Sequence, residues 1–287
     1  MTVFNFGRLD LISLNVRGLR DIDKRKALFL FVKQREAQII LFQETHSCDN
    51  DLKCWKSQWG DSAFFCHGTN HSAGVAIFLN MLKGDIVEKI YSGEGRWIII
   101  ILNIDNMKFI FCNVYGHNNN ILNVSMFKKL SLILINLKSK HTDAYLLIGG
   151  DFNEAPNDSV DRLPPKHSTS KVFELLFGGN APLQVTDVWR SLHPYDKEYT
   201  WTNNALTRKS RIDFWLLSTN AVQFVLDTLI TYAPLSDHKL ILISLIGNTN
   251  SCKRIRAYWK FNNKLLSDAK FVDCVKKKLL LFWTMNL

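Results

Sequence analysis

"AYLLIGGDFN", Ala144 to Asn153, is the stretch on which the fold turns. Seven residues rich in aliphatic side chains and glycine run straight into an acidic and amide tip. A short apolar run bounded by turn residues reads as a buried strand. The same form recurs along the chain in "LDLISLN", "QIILFQE", "SAFFCH", "GVAIFL", "RWIIIILNI", "KFIFCNVY", "RIDFWLL" and "LILISLI". Their β-branched and aromatic content favours strand over helix. Helical spacing is confined to three segments. "DKRKALFLFVKQREA" places Leu28, Phe31 and Val32 on one face. "NVSMFKKLSLILINLKSK" does so with Phe127, Leu130 and Ile133/Leu134, and a weaker pattern, "KVFELLF", follows Ser170. Many strands and few helices imply an α+β architecture of two packed sheets flanked by helices.

Composition narrows the class. The chain has 287 residues with ordinary apolar and charged fractions, long enough to bury a sizeable core. No run reaches the roughly 18 apolar residues of a membrane span. "MTVFNFGRLD" lacks the basic-then-apolar pattern of a secretory leader, so secretion is not expected. The six cysteines show no CxxC pair and no zinc spacing, as expected for reduced thiols inside a cell. The formal charge of +10 is uneven: nine Lys/Arg after Ser251 face only Asp268 and Asp273. Net charge is thus weak support for nucleic-acid binding by the body of the chain. A boundary is expected at "GNTNS", separating a domain over residues 1–248 from a basic, partly helical segment over 249–287. "APNDSVDRLPPKHSTS" (155–170) reads as a long surface loop.

Several strands end on a polar residue: Asn15, Glu44, Tyr115 and Asp151. If the strands are neighbours, these tips form one rim. Taken singly each has an ordinary reading, as a turn residue, a solvated strand end or an amphipathic edge. Asp151 and Asn153, two apart, share a face if extended, with Phe152 turned into the core; an Asx-turn is the alternative. Asp213 lies inside the apolar run "RIDFWLL", where an unpaired carboxylate is costly. In "LSDHKLI", Ser236, Asp237 and His238 are adjacent and cannot easily form a nucleophile–base–orienter chain. Pairing Asp213 with His238 meets the needs of both, and leaves Asp237 for a metal or water and Ser236 as a loop hydrogen-bonder.

"LISLNVRGL", "IILFQETH", "GVAIFL", "NVYG", "LIGGDFNEAPN", "YTWTN", "RIDFWLLS" and "LSDHKLI" together resemble the exonuclease–endonuclease–phosphatase superfamily. They look most like the apurinic-type endonuclease domain that opens the polyproteins of LINE-type, non-LTR retrotransposons. The likeness covers about residues 9 to 246. "RAYWKFNNKLLSDAKFV" is similar to the segment leading to the reverse transcriptase, which is absent here, as in a copy truncated before it. The resemblance implies a four-layer αββα sandwich and an endonuclease that nicks duplex DNA, leaving 3′-hydroxyl and 5′-phosphate ends for target-primed reverse transcription. It implies Mg²⁺ or Mn²⁺ held by Asn15 and Glu44 with help from Asp237. Asp151 would activate the water, Asn153 stabilise developing charge, Tyr115 contact the phosphate, and Asp213 orient His238. Thr200 would face DNA, and the hairpin carrying Arg208, Lys209 and Arg211 would track phosphates. Made in the cytoplasm, such a protein would act in the nucleus. Gly116-His117 departs from the Ala-Pro that relatives often carry, which suggests a mobile loop. The rival readings are an abasic-site repair endonuclease, a lipid or inositol phosphatase, and a catalytically inactive DNA-binding remnant.

Overall fold

The computed structural model describes residues 7–165, 170–177 and 183–246, with Val272, Asp273 and Lys276 beyond them. The chain divides into two compact units, Met1–Asn248 and Thr249–Leu287. The expectations for the basic tail, and for Lys166 to Thr169 of the proline-rich loop, fall outside the described residues.

Among the described residues two six-stranded sheets pack face to face. The first runs, edge to edge, Val225–Thr231, Leu240–Ile246, Arg8–Asn15, Ile39–Gln43, Val75–Leu79, Ala63–Cys66. The second runs Val185–Asp187, Asp213–Ser218, Tyr145–Asp151, Met107–Tyr115, Trp97–Ile104, Asp85–Tyr91. Arg8–Asn15 pairs in parallel with Ile39–Gln43, and Met107–Tyr115 with Tyr145–Asp151. The other pairs are antiparallel.

The apolar runs are continuous because both faces of the central strands are covered. Leu9, Leu11, Ile39, Leu41, Phe109, Phe111 and Leu147 fill the space between the sheets. Their sequence neighbours turn the other way. Ile12, Leu14, Ile40 and Phe42 meet Leu28, Phe29 and Val32 of helix Ile22–Lys33, and Trp55 and Trp59 of helix Leu52–Trp59. Ile110, Cys112, Leu146 and Ile148 meet Phe127, Leu130 and Leu134 of helix Asn120–Lys140, and Val172 and Phe173 of helix Lys171–Phe177. The result is a four-layer αββα sandwich. In the first helix Phe29, not Phe31, joins Leu28 and Val32 in the core; Phe31 is only partly buried, with the Arg35 guanidinium over its ring.

Two differences from the sequence reading bear on the site. The stretch 155–163 is not a plain surface loop. It holds the short helix Asp158–Asp161, with Asp158 and Asp161 buried, and the strand Arg162–Leu163. That strand joins Lys209–Ser210 and Trp201–Thr202 in a small third sheet. Arg211, expected to track phosphates, is 1% exposed at the base of this sheet. Its Nε donates to Asp161 at 2.7 Å and its Nη2 to Asp187 at 2.7 Å, while Arg190 reaches Asp161 at 2.6 Å. Arg211 therefore ties the hairpin to the body and is not free for DNA. Removing it takes the guanidinium from buried Asp187 and leaves Asp161 only that of Arg190. Arg211→Met should cost about 3–5 kcal/mol of stability in urea unfolding; a loss below about 1 kcal/mol would mean the network anchors nothing.

Candidate active site

The sandwich gathers the polar tips by strand register. Side chains two apart share a face, so the parity that sends Leu9 and Leu11 between the sheets also sends Ser13 and Asn15 there. The same parity puts Asn113 and Tyr115 behind Phe109 and Phe111, and Asp151 behind Leu147. Tyr115 and Asp213 both lie opposite Asp151 in the register of the second sheet. At one end of the sandwich the inter-sheet space therefore changes from apolar to polar. Gln43 Nε2 donates to Asn113 Oδ1 at 2.7 Å and to Ser13 Oγ at 3.0 Å, and Asn113 Nδ2 donates across to Phe42 O and Ala76 O. Asn15, Glu44, Tyr115, Asp151, Asn153, Asp237 and His238 line one open cleft, with Arg17, Asn118, Arg162 and Trp201.

Asp151 is 1% exposed. Its Oδ2 accepts from Asn15 Nδ2 at 2.9 Å and its Oδ1 from Asn153 N at 2.9 Å. The Asx-turn and the shared site thus coexist. Asn153 is not extended but left-handed, with φ of 51°, and its Nδ2 donates to Gly116 O at 2.8 Å. Phe152 is fully buried against Phe127, Phe173 and Phe214, as expected. The two glycines make room for different neighbours: a Cβ on Gly150, at φ of 145°, would lie 2.0 Å from Val114 O, and one on Gly149 would lie 2.5 Å from the Trp215 ring.

His238 Nδ1 lies 2.9 Å from Asp213 Oδ2, and its Nε2 lies 3.8 Å from Asp151 Oδ2. The orienting carboxylate thus comes from a strand 25 residues earlier. Ser236 Oγ donates to Asn15 O at 2.6 Å and accepts from His238 N, and so holds the loop. Burial opposes charge on His238, but Asp213 and Asp151 outweigh it and raise its pKa to about 9. Burial, reinforced by the charge of Asp213, raises Asp151 to about 7. At neutral pH the pair holds a charged imidazole beside a carboxylate half-ready to take a proton.

Asp151, Asp213 and His238 form the close acid–imidazole group among the described residues. Because His238 Nδ1 is committed to Asp213, the group is better suited to proton handling than to caging a cation. The oxygen donors Glu44, Asn15 and Asp237 in the same cleft suit a hard divalent ion. Glu44, left-handed at φ of 55°, lies 3.4 Å from His46 Nε2 and in hydrogen-bond contact with Tyr115. Asp237 Oδ2 lies 3.7 Å from Arg17 and 3.3 Å from Trp201 Nε1. Glu44 and Asp237 meet their nearest cationic groups only at 3.4 and 3.7 Å, looser than a close ion pair, and carboxylates so placed in one cleft fit a metal.

Two expected site features differ. Thr200 does not face DNA: it is fully buried, and its Oγ1 accepts from Ile212 N and Asp213 N, bracing the strand that carries Asp213. Arg208 is exposed on the hairpin and Lys209 half-buried. The loop after Tyr115 is tied down: Gly116 N donates to Asp151 O and His117 N to Asn123 Oδ1. A Cβ at Gly116 would lie 2.1 Å from Phe152 O. Arg17, Asn118, Arg162 and Trp201 were missed as cleft residues. Arg162 carried the least signal, because its bond to Asp158, four residues back, looks like a surface helix pair.

A two-sheet sandwich with an acid-steered imidazole at one end defines a class of phosphoester hydrolases. The chain belongs to the Endonuclease/Exonuclease/phosphatase family, whose pattern matches residues 12–238. It is 28% identical over 274 residues to the "Transposon TX1 uncharacterized 149 kDa protein" of Xenopus laevis. That alignment covers 93% of this chain and 20% of the transposon protein, so the chain spans about a fifth of that relative's length. An AP endonuclease from Leishmania major superposes with a TM-score of 0.67 at 18% identity, over 84% of this chain and 88% of that one. A Neisseria 3′ phosphatase bound to a product DNA hairpin does so with a TM-score of 0.67 at 17% identity, over 83% and 99%.

The Asp213–His238 pairing has a direct readout. In metal-free protein the His238 ring protons should titrate near pH 9 by NMR. Asp213→Asn removes the main charge raising that value and leaves burial, so the midpoint should fall toward or below the ordinary imidazole value of about 6.5. An unchanged midpoint would rule out Asp213 as the partner that sustains the imidazolium.

Proposed function

We propose that this chain is a divalent-metal-dependent endonuclease that nicks duplex DNA, leaving 3′-hydroxyl and 5′-phosphate ends. The observation carrying this reading is the Asp213–His238–Asp151 row facing an oxygen-rich rim in one cleft. Phosphodiester hydrolysis needs a base for water, donors for the charging phosphoryl oxygens and an offset for the leaving alkoxide. Asp151, with its pKa near 7, accepts or steers the proton of the attacking water. His238, charged at neutral pH and held by Asp213, donates to the phosphoryl group. Tyr115 and Asn153 place further donors at the cleft wall. Glu44 and Asn15, with Asp237, would hold Mg²⁺ or Mn²⁺. A cation there supplies positive charge against a phosphate oxygen and the departing alkoxide. Arg208 and Lys209 on the hairpin would meet the DNA backbone.

Similarity to a transposon protein is in keeping with a nick whose 3′-hydroxyl would prime reverse transcription; on this reading the protein would act in the nucleus. The duplex DNA is the partner this reading requires. No helix among the described residues is long and apolar enough to cross a membrane. The fold shared with AP endonucleases favours one rival, cleavage at abasic sites. A synthetic duplex with one abasic residue separates them: cleavage there far faster than on intact DNA would favour repair.

Supercoiled plasmid tests the leading reading. Mg²⁺ should convert it to relaxed circles, a chelator should stop the reaction, and Asp151→Asn or His238→Ala should each slow it by about 10²–10⁴-fold. Salt-sensitive DNA binding with no nicking by the wild-type protein would leave a binding remnant instead. The pH profile should rise through about 7 as Asp151 loses its proton and fall through about 9 as His238 loses its own. A profile flat from 6 to 10 would remove both groups from the chemistry.

A further inference from the structure

Arg96 lies outside the cleft lining, yet it touches the backbone and ring that present two of the cleft's donors. It follows the turn at Ser92–Gly95, and its own N–H donates to Ser92 Oγ at 2.9 Å. Its carbonyl accepts from Tyr115 N at 2.7 Å. Its guanidinium carbon stands 4.7 Å from the centroid of the Tyr115 ring. Its Nη1 donates to Gly116 O at 3.2 Å. That same carbonyl accepts Asn153 Nδ2 at 2.8 Å.

One guanidinium thus reaches both donors, Tyr115 through its ring face and Asn153 through a shared carbonyl. The Tyr115 hydroxyl is separately in hydrogen-bond contact with Glu44, so what the guanidinium adds is a hold on the ring face and on the carbonyl that Asn153 shares. Glu94 and His117, the nearby titratable pair, lie 3.9 Å from each other and make no bond to the Tyr115 ring. A planar guanidinium can stack on an aromatic face and bond a carbonyl at the same time, which a lysine ammonium does less well. We infer that Arg96 is a positioning residue: it clamps the Tyr115 ring and the Gly116 carbonyl, so that the Tyr115 hydroxyl and the Asn153 amide keep their places against the phosphate. The inference rests on the nuclease reading for its catalytic meaning, but the clamp itself does not.

Arg96→Met keeps the aliphatic stem and removes charge and donors; Arg96→Lys keeps the charge. With a defined duplex under steady-state conditions, Arg96→Met should lower kcat by tenfold or more, since small misplacements of catalytic groups cost up to about 10²-fold. KM should stay within about twofold, and Arg96→Lys should recover part of the loss. Combining Arg96→Met with Tyr115→Phe should slow the reaction little beyond the slower single variant, because the two act as a unit. A raised KM with kcat unchanged, and a shallower salt dependence, would make Arg96 a DNA phosphate contact and overturn the proposal. Fully multiplicative losses would overturn it as well.

Should the wild-type protein fail to nick any substrate, the nuclease reading falls and the clamp is decided by NMR. The Arg96 guanidinium resonances should show an upfield ring-current shift that disappears in Tyr115→Leu while the circular dichroism spectrum is unchanged. Ordinary shifts in the wild-type protein would end the proposal.

Discussion

The hydrogen bond from Asn15 Nδ2 to Asp151 Oδ2 crosses from one sheet to the other at the end of the sandwich. Its position follows from a simple constraint. A carboxylate taken from water must be satisfied by fixed donors or lose its charge. Asp151 sits where two sheets converge, so it accepts an amide from the first sheet and a backbone N–H from its own turn, with the His238 imidazole 3.8 Å away as a nearby positive charge. Meeting the needs of one buried acid draws together the residues that line the cleft. Deeper in, Ser13, Gln43 and Asn113 form a second polar layer that bonds sheet to sheet. The site is therefore continuous with the packing.

Much of this was legible in the sequence because the central strands are covered on both faces. Continuous apolar runs with polar ends survive averaging, and nine of them marked the interior of the sandwich. The edge strands Asp85–Tyr91 and Val225–Thr231 escaped notice for the opposite reason. They lie at sheet edges and are partly exposed, so charged and polar residues interrupt "DIVEKIY" and "VLDTLIT" and no continuous apolar run marks them. Helix Leu52–Trp59 was also missed, although Trp55 and Trp59, four apart, are its buried face. The pairing of Asp213 with His238 could be argued from cost alone, since a carboxylate inside "RIDFWLL" had to find a partner.

What the sequence hid was the direction of side chains in irregular backbone. Thr200 lies next to the short strand Trp201–Thr202, and no periodicity shows that its hydroxyl turns inward to brace the Asp213 strand. Asn153 reaches the cleft through a left-handed turn, and strand alternation does not bring it there. For the strand tips the needed rule was already present. Asn15, Tyr115, Asp151 and Asp213 share the parity of the inter-sheet residues on their own strands, so their convergence follows once two sheets are assumed.

Charge balance separates the two acidic groups that flank the small third sheet. Asp161 and Asp187 are met by Arg211 and Arg190 at 2.6 to 2.7 Å, and Asp158 by Arg162 at 2.6 Å. Those carboxylates are neutralised within the protein and have little left to offer a cation. Across the sheet, Glu44, Asp151 and Asp237 line the cleft together with His238, Arg17 and Arg162; Arg17 approaches Asp237 only to 3.7 Å, and Asp213 sits behind His238. The same residue type thus does opposite work on two sides of one hairpin. Arginine in sequence gave no hint of which side it would serve: Arg211, in the basic hairpin, was spent on structure, and the acids left without such a partner define where a divalent ion and a phosphate would be held.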